Sequence, residues 1–194
     1  GGVQQFFLRD TKKAAPHNLF TNSGLISELM KNKGVDAKEG EYEGWKFADK
    51  KDEATATTNE ATSIQIDFSS KDYAVSYEYD AAEKMFNRLN GGKPHVDALT
   101  DKQISVKTVV VQKTDVSASG DDKGRVDVRT TGEGDAIVFM NGGAIEGSWK
   151  YDAGDDRTRF YDANAEEIVF APGNIWVEIV PEDKAVEFTA QTAQ

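Results

Sequence analysis

Cysteine is absent from all 194 residues. That excludes disulfides, thiolate metal sites and a cysteine nucleophile, and it leaves export open, because many exported proteins carry no disulfide. Histidine is scarce, with two residues, and proline is limited to four. No apolar run approaches the ~20 residues that a membrane-spanning helix needs. The start at Gly1 and Gly2 offers neither an initiator methionine nor a signal segment, so a removed targeting segment or a longer parent chain is expected. Basic residues are in deficit: 23 against 34 acidic ones leave a net charge of −11. Such acidity repels phosphate backbones and anionic headgroups, so no nucleic-acid partner is expected; its simplest effect is solubility.

The chain is instead well supplied with aromatics, with three Trp, six Tyr and ten Phe available for a core. They concentrate in the last third, which reads as successive β-hairpins. Residues 136–141 (AIVFMN) reach Gly142-Gly143 and return as 144–150 (AIEGSWK). Residues 158–162 (TRFYD) turn at Ala163-Asn164 into 167–170 (EIVF), and Pro172-Gly173-Asn174 leads into IWVEIVP. Apolar alternation beside Gly or Asn turns is the short-range signature of antiparallel pairing.

Upstream, residues 2–8 suit a short strand and 9–20 a polar loop in which Pro16 keeps Ala15 out of the helical region. Thr21 or Ser23 can cap a helix whose Leu25, Ile26, Leu29 and Met30 share a face, and Gly34 suits its left-handed end. The tract 49–63 (DKKDEATATTNEATS after Ala48) has little apolar content and reads as a linker or mobile loop. Beyond it lie alternating segments at 64–68, 73–79 and 85–89, a turn at 90–92, and the run ISVKTVVVQ at 104–112, which suits a strand buried on both faces. The glycine-rich 131–135 (TGEGD) lacks a following helix and a Lys-Ser/Thr pair, so it reads as a β-turn rather than a phosphate loop. The fold class expected is α+β: a predominantly antiparallel β sandwich or barrel-like domain over 64–194, preceded by a strand–loop–helix segment over 1–48.

Candidate chemistry centres on the two histidines. In an extended segment His95 and Asp97 project to one side, so the carboxylate could orient the imidazole or share a metal with it. If His17 came close, His17, His95 and Asp97 or Asp10 would resemble a zinc or iron site; the alternative is that each histidine caps a turn or bonds a backbone carbonyl. No cofactor is expected, and no nucleophile motif such as G-x-S-x-G is present. Asp121-Asp122 and Asp155-Asp156 lack the ligand spacing of a calcium loop. Trp149, Phe160, Tyr161 and Trp176 could form a platform for sugar or peptide, or pack in the core. Arg157 and Arg159 could clamp an anion, or pair with Asp155 and Asp156 across the turn.

Several segments in order, FFLRDTKKAAPHNLFT, YAVSYEYD, GGKPHVDALT, VKTVVVQ, DDKGRVDVRTTGEGDAIVFMNGGAIEGSWK and TRFYDANAEEIVFAPGNIWVEIVP, resemble the YerB-like family of predicted bacterial lipoproteins. The resemblance covers most of the chain and carries no catalytic assignment. It implies an extracytoplasmic protein anchored to the membrane only through a lipid on its amino-terminal part, with residues 1–48 the end of an N-terminal α/β domain. It places Arg9, Asp10, Pro16, His17 and Asn18 in one motif, Pro94, His95 and Asp97 in a second, and Gly147, Trp149 and Trp176 in the C-terminal one; the binding candidates are Arg9, Asn18, Trp149 and Trp176 from these motifs, together with Arg159 from the candidate anion clamp. The function expected is an envelope binding or scaffolding module for a cell-wall component or an envelope protein. The alternative is a hydrolase of an envelope glycan or phosphodiester with Asp10, His17, His95 or Asp97 as acid, base or metal ligand and Arg9 facing the developing charge.

Overall fold

The computed structural model describes residues 2–35, 42–49, 54–68, 70–122, 124–152, 154 and 157–190. The chain divides into two units, Gly1–Glu43 and Gly44–Gln194. In the first unit a 3₁₀ turn at Gln4–Phe6 occupies part of the segment expected as a strand; β1 (Leu8–Arg9) and β2 (Leu19–Phe20) pair antiparallel, and α1 covers Ser23–Lys33. The helix is capped by Asn22, not by Thr21 or Ser23: the Asn22 side chain accepts a 3.0 Å bond from the Leu25 amide, one of the orphan donors of the first turn. Gly34 closes the helix at φ 67°, as its position predicts.

The second unit holds β3 (Asn59–Glu60), β4 (Ser63–Ile66), β5 (Val75–Asp80), β6 (Met85–Asn90), β7 (Lys93–Pro94), β8 (Ser105–Val106) and β9 (Thr108–Thr114). It continues with β10 (Val116–Ala118), β11 (Val126–Val128), β12 (Gly132–Met140), β13 (Gly143–Tyr151), β14 (Arg159–Asp162), β15 (Ile175–Pro181) and β16 (Val186–Thr189). The larger sheet runs β14-β13-β12-β9-β15, with β3 on β13; the smaller runs β16-β4-β5-β6-β7, with β8 on β6. Ile64, Ile66, Val75, Tyr77 and Phe86 of the smaller sheet pack on Val109, Val111, Phe139, Ala144 and Val180 of the larger. Among the described residues the result is α+β and mostly antiparallel, with two facing open sheets, the small β1–β2 and β10–β11 pairs, and no closed barrel.

Alternation explains which side each residue takes. Val109 and Val111 face the smaller sheet, whereas Val110 joins Val138, Met140, Ile145 and Trp149 in a second core on the opposite face. Phe160, Ile168, Phe170 and Trp45 close that second core. The β12–β13 turn at Asn141-Gly142 has φ 53° and 76°, the two positive values of a type I′ turn, and registers Met140 against Gly143.

Three expectations need correction. The tract expected as a linker or mobile loop is, where described, tied to the β domain: the Thr55 amide bonds Val169 O, the Thr58 amide bonds Ala144 O, Asn59–Glu60 pairs with β13, and Ala61 is fully buried. The boundary accordingly falls at Gly44 and not after 48, since Trp45 is seated on Phe160 and Phe170 with its indole N–H on Thr158 O at 2.7 Å. Residues 132–135 are strand, not turn. Gly134 is needed there because a Cβ would stand 2.7 Å from Trp149 Nε1 and 2.8 Å from Lys113 O, so the glycine marks a close approach rather than a bend. Finally, β15 pairs in parallel with β9, Ile175 opposite Thr108 through Pro181 opposite Thr114.

Candidate functional site

In the first unit the predicted residues clamp their own hairpin. Arg9 Nη1 donates to Asn18 Oδ1 at 2.6 Å, the Asn18 side-chain amide donates to Asp10 O at 3.3 Å, and the Asp10 carboxylate accepts from the Lys12 amide at 2.9 Å. Asn18 is buried and His17 lies exposed in the turn between β1 and β2. An open depression of about 630 Å³ beside this hairpin is lined by Val3, Gln4, Phe7, Arg9 and Leu19; among these described residues the one charged group is the Arg9 already bonded to Asn18.

In the second unit His95 belongs to a polar cluster between the sheets. Glu178 on β15 accepts the Tyr77 hydroxyl at 2.5 Å and Arg88 Nε and Nη2, each at 3.3 Å. Arg88 Nη1 reaches His95 Nδ1, and the guanidinium lies 4.6 Å from the Trp176 ring centroid. Tyr77, Arg88 and Glu178 are buried, at 0%, 7% and 7% exposure, so the pair satisfies itself in place of water. Burial, together with the neighbouring Glu178 carboxylate, pushes the Tyr77 hydroxyl far above its ordinary pKa, against the smaller opposing effect of Arg88. A guanidinium has no acceptor, so His95 Nδ1 must accept and the ring proton resides on Nε2. Held this way, His95 is a hydrogen-bond donor and lacks the free Nε2 lone pair of a general base.

Asp97 faces its own turn. Its Oδ1 accepts from the Leu99 amide at 3.1 Å and from the Thr100 amide and hydroxyl, each at 2.9 Å, and the Thr100 hydroxyl above all holds its carboxyl below the usual range. Among the described residues no three His, Asp or Glu side chains gather as a metal site. Trp149 is fully buried with its indole N–H on Lys113 O at 2.7 Å. Arg159 bonds Glu167 at 2.8 Å, and Lys46 meets the same carboxylate at 2.7 Å. Burial acts to raise the Glu167 pKa, but these two cations outweigh it and bring the value below its ordinary position. Asp155 and Asp156, expected near Arg157 and Arg159, lie outside the described residues.

A feature of which the sequence singles out Tyr161 and Trp149, but not Asp135 or Ser148, lies on β12–β14. Beyond the part of the larger sheet covered by the smaller one, the same face is open to solvent. Register sets Asp135, Ser148 and Tyr161 in one row and Glu133, Lys150 and Arg159 in the next. Glu133, Asp135, Ser148, Lys150 and Tyr161 of these rows, with Ala165 of the following turn, border a groove of about 530 Å³, within the range of small-ligand sites. Lys150 is paired with Asp152 at 2.9 Å, which raises its pKa. The Asp135 carboxylate and the Ser148 and Tyr161 hydroxyls make no hydrogen bond to the described residues. Tyr77, Arg88 and Glu178, the other residues missed, had a signal: Glu178 occupies the inward phase of IWVEIVP, between Trp176 and Val180.

Comparison with known proteins agrees with this architecture. The Bacillus subtilis (strain 168) protein named "Putative lipoprotein YerB" is 26% identical over 183 residues, which are 91% of this chain and 51% of that protein. The chain thus spans about half the length of the curated relative it matches. The crystal structure of the YerB protein from Bacillus subtilis shares the fold, with a TM-score of 0.74 at 24% identity over 94% of this chain and 59% of that one. Residues 64–177, more than half of the chain, match the domain described as "Protein of unknown function (DUF3048) C-terminal domain", and the chain belongs to that family.

Proposed function

We propose that this chain is a binding or scaffolding module acting outside the cytoplasm, part of a protein held at the membrane by a lipid, with a cell-wall component as its partner. The observation that carries the reading is the contrast in polar groups. The buried Tyr77, Arg88 and Glu178 satisfy one another, whereas the Asp135, Ser148 and Tyr161 side chains at the β12–β14 groove make no hydrogen bond to the described residues. A groove supplied with unengaged hydroxyl and carboxylate groups can hold a ligand; a His95 whose Nδ1 accepts from Arg88 and whose Nε2 carries the proton is poorly suited to proton abstraction. The name of the YerB relative supports the location, and the net charge of −11 disfavours anionic polymers as partners.

The test is co-sedimentation with insoluble cell-wall material, comparing the chain with a Ser148→Trp variant that fills the groove. Saturable retention of the unsubstituted chain, reduced about tenfold by the substitution at unchanged melting temperature, is expected. No retention, or equal retention of both, contradicts the reading.

A further inference from the structure

We infer that the β12–β14 groove takes a neutral saccharide, a glycan segment free of acidic groups, with one sugar ring seated on Tyr161. This rests on the binding reading above and names the ligand class for the same groove.

The geometry follows from strand register. Ser148 lies directly between Asp135 and Tyr161 in one row across three strands. Neighbouring strands stand about 4.8 Å apart, so the row is about 10 Å wide, the breadth of a pyranose ring with its substituents. A serine between two longer side chains leaves the centre of the row low. On one side the half-buried Tyr161 offers an aromatic ring and a hydroxyl. On the other, Asp135 offers a carboxylate that can accept from two vicinal hydroxyls. Glu133 and Lys150, opposite each other in the next row, extend the polar border. Aromatic face, small floor and acceptor-rich edge together suit a ring that is apolar on its faces and hydroxylated around its rim.

The charge selects against the other candidates. Among the described residues lining the groove, Glu133 and Asp135 are acidic and the one cation is Lys150, which is already paired with Asp152. An anionic polymer would be repelled both here and by the chain as a whole. A basic peptide would gain from the carboxylates, but the low serine floor between an acid and a tyrosine fits a flat ring better than an extended chain of long side chains.

The experiment is calorimetric titration with chitotetraose (N-acetylated, β-1,4-linked), cellotetraose, polygalacturonate and tetralysine. The variants are Asp135→Asn and Tyr161→Ala, with melting temperatures recorded. At least one neutral oligosaccharide should bind saturably, and Asp135→Asn, which removes an exposed charge and leaves the fold alone, should weaken it about tenfold, the effect of one charge-assisted hydrogen bond. Tyr161→Ala should weaken it at least as much. Polygalacturonate should not bind. The inference is overturned if neither neutral oligosaccharide binds, if binding survives both substitutions, or if only tetralysine binds in an Asp135-dependent way. Retention on wall material that persists after such a failure would leave the binding module standing and remove the saccharide alone.

Discussion

One face of the larger sheet has two fates. Where the smaller sheet covers it, Trp176 and Glu178 meet Arg88, Tyr77 and His95, and the charged groups are consumed by one another. Where it runs on uncovered, Asp135, Ser148 and Tyr161 stand in the same phase of their strands and remain unengaged. The chemistry of the two ends is similar: each holds a carboxylate and a tyrosine, in contact at the covered end and separated by Ser148 at the open one. Their surroundings differ: a buried carboxylate must be neutralised or paired, and an exposed one need not be. Titratable side chains therefore mark stability at one end and availability at the other.

The comparison is broken most severely at Arg88. Arg88→Met strands the Glu178 carboxylate in the core and should cost about 3–5 kcal/mol, as removal of one partner from a buried ion pair does; urea denaturation measures it, and a loss near zero would mean that water reaches Glu178. Gly134→Val acts beneath the open end, on the opposite face of the same sheet, because its Cβ collides with Trp149 Nε1 and Lys113 O. Overpacking of this kind should cost about 1–3 kcal/mol.

Tyr77→Phe is gentler, removing one donor from Glu178 for about 1–2 kcal/mol. It also carries a pH signature. The Tyr77 hydroxyl is raised in the folded state, so its contribution is complete below the unfolded phenol value of about 10 and declines as pH rises past it. The unsubstituted chain should lose stability above that pH more steeply than Tyr77→Phe, and parallel curves would show that the phenol is not buried. Asp135→Asn, at the open end, should change stability by no more than about 0.5 kcal/mol and should be visible only in ligand binding.

Much of the architecture was legible because it is encoded locally. Asn141-Gly142 between alternating apolar runs announces the β12–β13 hairpin, and the Val109–Val111 run announces a strand covered on both faces. Partner choice is not local, and nothing in IWVEIVP says that it will lie parallel to β9. Composition misled twice. The glycines of 131–135 signalled a turn although Gly134 serves a close approach, and the polar 54–63 signalled a linker although its threonines bond β13 and Val169. At the sites, Trp176 and His95 were found by residue type, while Arg88 and Glu178 were hidden by the assumption that charge faces outward. On β15 Ile179 is exposed whereas its neighbour Glu178 is buried. The groove was invisible for a different reason: Asp135, Ser148 and Tyr161 come from three strands, and only register aligns them.

The most direct test of the contrast between the two ends is a map of backbone amide shifts during titration of the labelled chain with a neutral oligosaccharide such as chitotetraose. Shifts confined to residues 133–135, 148–150 and 161–165, with Arg88, His95, Trp176 and Glu178 unmoved, are the predicted result. Shifts centred on His95 and Trp176, with the β12–β14 rows silent, would contradict the account and make the buried cluster the functional site.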